Sequence, residues 1–167
     1  MKPSFSARAL AATLSLAALA ACGSEVEVDS EDGAVAATEE PPVIDERQAN
    51  YKGISDSFKV IRTELESDAP DFASIEASAT DINERAQLIS GYFPQGTSVD
   101  DGFDTEALPT IWEQPAEFEN ATQNFVEASA TMVALASQGD AGVIGAQVGE
   151  LGGTCKACHD KFRLKTD

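Results

Sequence analysis

Apolar residues recur along this chain at helical spacing. Ile44, Tyr51, Ile54, Phe58, Ile61 and Leu65 are separated by seven, three, four, three and four positions, one stripe of a helix of about 22 residues. Ser67-Asp68-Ala69-Pro70 interrupts the pattern, and a proline suits the first turn of a following helix. Phe72, Ile75, Ala79, Ile82, Ala86 and Ile89 repeat the three–four spacing over a second helix, which Gly91 ends. Residues 91–114 form a connection whose length is unusual without structure of its own. Phe93, Phe103, Ile111 and Trp112 are expected to pin it to the helices. Pro115 opens a third helix with Phe118, Phe125, Met132 and Leu135 inward, and Gly139-Asp140 supplies a stop and an N-cap. A fourth helix carries Ile144, Val148, Leu151, Cys155, Cys158 and Phe162 on one face. No segment alternates with period two. The pattern predicts an all-α fold, an antiparallel up-down-up-down four-helix bundle over residues 44–167.

The first 43 residues follow other rules. Lys2 and Arg8 precede a short apolar run, Ala9 to Ala21, that ends Leu19-Ala20-Ala21-Cys22. A charged start, a brief apolar stretch and small residues at its end describe a secretory signal over residues 1–21, too short and Ala-rich for a membrane span. The Leu-Ala-Ala-Cys ending resembles a bacterial lipobox, whose Cys is lipidated and becomes the new N-terminus. Ordinary cleavage at an Ala-x-Ala site is the alternative. Gly23 after Cys22, where Asp would imply inner-membrane retention, points to the outer membrane. Residues 22–43 are acidic and small with no basic residue, and are expected to form a disordered tether. About 20 flexible residues span about 25 Å.

Charge narrows the function. Against 29 acidic residues stand 11 basic ones, for a net charge of −18 at pH 7 in 167 residues. Such a chain repels phosphate backbones, which speaks against nucleic-acid binding. With 3 Cys and 1 His, any imidazole ligand has to be His159.

Cys155-Lys156-Ala157-Cys158-His159 carries the chemistry. Positions i, i+3 and i+4 share a helix face. Two thiols so placed suit covalent bonds to the two vinyl groups of one haem, and the adjacent imidazole suits its iron, the pattern of c-type haem attachment. A thioredoxin-like dithiol wants a strand–helix junction, and no strand pattern is present. Structural zinc wants four ligands, and this cluster offers three. A low-spin iron takes Met or a second His as its sixth ligand. No second His exists, and Met132 is the only thioether outside the leader. Met132 reads either as that ligand or as a gap-filling core residue; Lys52 and Lys59 lie on an exposed-looking face. The balance predicts a five-coordinate iron with one open side.

Arg47 shares the seam of Ile44, Tyr51 and Ile54, where a charge is expensive unless paired. A haem propionate would pair it; otherwise it snorkels from the helix start into water. Tyr51 reads either as facing the open side of the iron or as an ordinary half-buried aromatic. Gly142, Gly145, Gly149 and Gly152 repeat along the fourth helix. They imply either close approach of a neighbouring helix or the haem edge, or a frayed helix start.

Taken together, Arg47-Gln48-Ala49, Tyr92-Phe93-Pro94-Gln95-Gly96-Thr97, Ile111-Trp112-Glu113 and Cys155 to Arg163 resemble cytochrome c′, from about Ile44 to Leu164. That family carries haem near the C-terminus of a four-helix bundle and is itself a stock example of up-down-up-down topology. The resemblance implies haem c bound at Cys155 and Cys158, His159 as proximal ligand, Arg47 near the propionates, Arg163 beside the proximal His and Tyr51 crowding the vacant iron face. Low-spin relatives supply Met from the first helix, which here has none. The acidic tether and the lipobox depart from the family's soluble periplasmic habit. The expected function is binding of nitric oxide, and less tightly carbon monoxide, without catalytic turnover. The alternative is periplasmic electron transfer with a basic partner. The resemblance also implies a homodimer.

Overall fold

The computed structural model describes residues 39–165. The predicted signal, most of the tether and Cys22 lie outside the described residues. Four long helices form the bundle: α1 (Pro42–Leu65), α2 (Phe72–Ala86), α4 (Pro115–Ala136) and α5 (Ala141–Phe162), with a short α3 (Thr110–Glu113) before α4. Among the described residues there is no strand, only an isolated bridge between Ala107 and Arg163. The fold is therefore the expected all-α bundle.

Local chemistry sets the ends. Pro42 opens α1, since its fixed φ is already helical and its missing N–H costs nothing there. The helix thus starts two residues before the predicted boundary, and Glu40 already accepts a hydrogen bond from the Asp104 N–H at 3.0 Å. Asp71 caps α2, accepting from the Ala73 and Ser74 N–H groups. The second helix stops at Ala86, short of the predicted Gly91, and a 3₁₀ turn over Ile89–Tyr92 follows. The Arg85 carbonyl accepts the Asn50 side-chain amide at 3.1 Å and the Leu88 N–H at 3.1 Å, which tightens the last turn. Ile89 is nonetheless buried. Gly139, at φ +68°, ends α4 in a conformation that L side chains resist, and Asp140 caps α5.

The predicted stripe forms the core: Ile44, Ile61, Ile75, Ile82, Ile144 and Leu151 are wholly buried. Leu135 is only half-buried, and Ala136 takes the inward position. Cross-helix contacts fix the topology. Asn50 meets Arg85 and Ser57 meets Asp81, Asn83 meets Ser129 while Ser90, just past α2, meets Glu119, and Phe118 meets Phe162 while Ala128 meets Gln147. Each pair runs antiparallel. The α1–α2, α2–α4 and α4–α5 seams are closely packed, whereas α1 and α5 touch at few points. At Gly145 and Gly149 neither a frayed start nor close approach of a neighbouring helix holds. Both lie inside an intact helix, and a Cβ at either would meet nothing within 4 Å. Gly152 alone faces α1, where a Cβ would stand 3.9 Å from Phe58.

Asp81 links α1 to α2. Burial pushes its carboxyl pKa up, but hydrogen bonds from Arg85 Nε (2.9 Å) and Ser57 Oγ (2.7 Å) outweigh that, and the net shift is downward. A depressed carboxyl stabilises the fold above its unfolded pKa of about 3.9 and loses that contribution as pH falls through the lower folded value. Asp81→Asn should therefore lower stability in urea titrations at pH 7, and the difference from wild type should shrink below about pH 4.

Candidate functional site

Because α5 runs unbroken through Phe162, the Cys155–His159 motif is entirely helical. Cys155 and Cys158 are half-buried at the open α1–α5 seam, next to Tyr51. Burial pushes both thiols' pKa up, that of Cys158 to about 11 with Cys155 adding to the rise. Burial thus disfavours at both positions the thiolate form that zinc would need. Among the described residues no three His, Cys, Asp or Glu side chains gather as a metal cluster. A porphyrin-borne iron needs only one imidazole. His159 lies at the exposed edge of α5; partial burial and Arg163 lower its pKa, while Glu106 and Asp160 oppose them. On α1 the Tyr51 phenol is raised by burial and by the neighbouring Cys158, with Arg47 opposing.

One turn before Tyr51, Arg47 is only 2% exposed. Its Nη1 donates to Thr97 Oγ1 at 3.0 Å, and its Nη2 to the Thr97 carbonyl and Thr105 Oγ1, both at 2.6 Å. The guanidinium also lies 5.0 Å over the Phe93 ring. Snorkelling is thus not what this side chain does: the long connection wraps over it. Phe93 packs edge-on against Phe118 at 4.8 Å, and Phe118 against Phe162 at 5.3 Å. Trp112 Nε1 donates to the Phe93 carbonyl at 3.0 Å. Phe93, Ile111 and Trp112 pin the connection as expected, while Phe103 stays outside the main core cluster. The same connection then clips α5. Leu108 N–H donates to Phe162 O at 3.0 Å, Leu164 N–H to Glu106 O at 2.8 Å, and Arg163 Nε reaches Glu106 Oε2 at 2.5 Å.

This geometry gathers two half-buried thiols and an imidazole on α5, with a tyrosine on the facing helix across a loosely joined seam. A profile of the family described as cytochrome C′ matches residues 42–163. The chain belongs to the cytochrome c′ family. The cytochrome c′ of Rubrivivax gelatinosus is 35% identical over 123 residues, covering 73% of this chain and 94% of that protein. A cytochrome c prime variant from Alcaligenes xylosoxidans, solved as its nitric oxide complex, matches with TM-score 0.66 and 29% identity over 74% of this chain and 94% of that one. A cytochrome c′ structure described as having a ligand-controlled dimer dissociation matches with TM-score 0.69 and 28% identity, covering 74% and 95%. The family's cofactor is covalent haem c, and Cys155 and Cys158 fit its C-terminal attachment motif.

In this cytochrome c′ fold Met132 stands far from the motif. The Ala128–Gln147 contact sets the register of α4 on α5, and Gln147 precedes His159 by about 18 Å of helix axis. Met132 lies a further turn away and is wholly buried, which makes it a core residue. Lys52 pairs with Asp56 at 2.5 Å on the surface and Lys59 is exposed. A groove of about 400 Å³ between α4 and α5, lined by Gly153, Ala157 and Glu150, opens on another face of α5 from His159. Sequence reasoning missed Thr97, Thr105 and Glu106. Nothing in their hydropathy marks them, although Thr97 ends one of the quoted family segments.

Arg47→Ala should leave the Thr97 and Thr105 acceptors without their donor and cost about 3 kcal/mol of stability. Limited proteolysis of the variant should cut within residues 94–106 well before the wild type is cut there.

Proposed function

We propose that this chain holds haem c through Cys155 and Cys158, with His159 as the one protein ligand to the iron, and that its task is to bind a diatomic gas, chiefly nitric oxide. The observation that carries this is the position of Met132, the only thioether in the described region. It is buried about four helical turns from the motif, which favours a five-coordinate iron with one open side. When bound, haem supplies an iron that takes up a gas molecule or an electron. The protein's own part is steric and electrostatic. Tyr51, beside both thiols, would crowd the open side. Arg47 uses three N–H donors on Thr97 and Thr105, which leaves two of a guanidinium's five for a propionate. Arg163 would sit beside the proximal imidazole. Binding rather than turnover fits a site that offers no nucleophile–base pair. The nitric oxide complex of the Alcaligenes relative supports the gas reading.

Electron transfer is the second reading. A surface this acidic favours it, because it would steer toward a basic partner. We also propose export to the bacterial periplasm with a lipid anchor at Cys22 in the outer membrane, on the strength of the leader alone. The ligand-controlled dimer of one relative supports testing for a homodimer by sedimentation.

The deciding experiment is the absorption spectrum of the reduced protein before and after nitric oxide is added. A broad high-spin Soret band that shifts with the gas supports the gas reading, and a sharp spectrum indifferent to it puts electron transfer first. Tyr51→Ala should speed carbon monoxide association by about tenfold or more, since relief of about 1.4 kcal/mol of crowding gives that factor. An unchanged rate would take the distal role from Tyr51.

A further inference from the structure

We propose that Glu106 is a positioning residue for the proximal side of the haem, holding the Arg163 guanidinium at the edge of the His159 imidazole. This rests on the reading that His159 ligates the iron. Arg163 stands four positions after His159, and its N–H donates to the His159 carbonyl at 3.2 Å as the helix ends. Its backbone is extended there, and its side chain would be free to swing into solvent. Glu106 removes that freedom. Its Oε2 lies 2.5 Å from Arg163 Nε, with both side chains less than half exposed.

A partly exposed ion pair is ordinarily worth little, because two long side chains lose entropy to hold it. Here the backbones are fixed independently. Leu108 N–H on the Phe162 carbonyl and Leu164 N–H on the Glu106 carbonyl flank the bridge between Ala107 and Arg163. Glu106 is thus delivered to Arg163 by a clip that does not depend on either charge. The clip is anchored in turn at Thr97 and Thr105 by buried Arg47 on α1. One segment, residues 97–108, therefore ties the helix that bears Tyr51 to the end of the helix that bears His159.

The charge arrangement has a consequence for the iron. A carboxylate near the proximal imidazole favours the more positive ferric state, and a guanidinium favours the ferrous state. With Glu106 in place the two charges largely cancel at His159. Removing the carboxylate takes away a negative charge, which raises the reduction potential, and frees the cation to swing into solvent, which lowers it, so the two changes oppose each other.

The test is a double-mutant cycle on the haem-loaded full chain, read as the potential from spectroelectrochemistry. Arg163→Gln should lower the potential, because it removes the cation that Glu106 holds. Glu106→Gln should raise the potential in the Arg163→Gln background and by clearly less in wild type, where release of the cation offsets the gain, and Glu106→Asp should restore part of the wild-type value. Unchanged melting temperatures across the set would separate positioning from a general loss of fold. Equal Glu106→Gln shifts in both backgrounds would overturn the proposal while leaving the haem reading intact. A wild-type protein whose mass shows no covalent haem would overturn both.

Discussion

A positive charge almost without water is the constraint around which this end of the molecule is built. Arg47 sits on the apolar seam of α1, where an unpaired guanidinium would cost several kcal/mol. Among the described residues no carboxylate forms an ion pair with it, although Glu40 is near enough to favour its charge. Three oxygens from Thr97 and Thr105 and the face of Phe93 serve instead, so the long connection between α2 and α4 has to return across the start of α1. Once there, it is close enough to α5 to form the Ala107–Arg163 bridge. The order of dependence runs from a buried charge to a wrapped loop, and from the loop to the end of the helix that carries the thiols and the imidazole.

The bundle is asymmetric for a related reason. Three seams are filled by isoleucines, by phenylalanine edges and by short polar links such as Asn83 to Ser129. The α1–α5 seam is left to Tyr51, Phe58, Gly152 and the two cysteines, and the two helices touch there at few points. Close packing makes a loosely joined seam unfavourable in a bundle that has nothing to put there. A flat, largely apolar group bonded to Cys155 and Cys158 would supply the missing contacts, so the cofactor is a packing element as well as a chemical one. The other three seams, together with the Arg47-anchored loop, hold the frame in which it would be received.

Much of this was legible in the sequence, because helices must show an apolar stripe and turns must show their caps. Ile44, Ile54 and Ile61 fell where the three–four spacing put them, as did the Asp140 cap and the Cys155–His159 motif. What escaped is polar and long-range. Thr97 and Thr105 matter only because Arg47, some 50 positions earlier, lies beneath them. Glu106 matters only because the loop lands on Arg163. The end of α2 at Ala86 was hidden for the same reason, since it is tightened by the Asn50 amide from another helix. The α5 glycines were the opposite case, a regular pattern to which the fold assigns no close neighbour at Gly145 or Gly149.

Charge separates the two functional readings in a way that the bundle does not. The chain carries −18 overall, yet three of the cations around the end of α5 are matched locally: Lys156 with Asp160, Lys161 with Glu117 and Arg163 with Glu106. The surroundings of the imidazole are therefore nearly balanced while the rest of the surface is strongly negative. A diatomic gas is uncharged, so that surface neither attracts nor repels it, and with Tyr51 in the proposed distal role its entry would be governed by Tyr51 and its neighbours on the seam. A protein partner would meet the whole field, at rates that fall steeply as salt screens it. A gas-binding role thus asks nothing of the acidic surface beyond solubility, and an electron-transfer role would make it the main determinant of encounter. The same fold can carry either; what distinguishes them physically is whether function responds to ionic strength or to the space beside Tyr51.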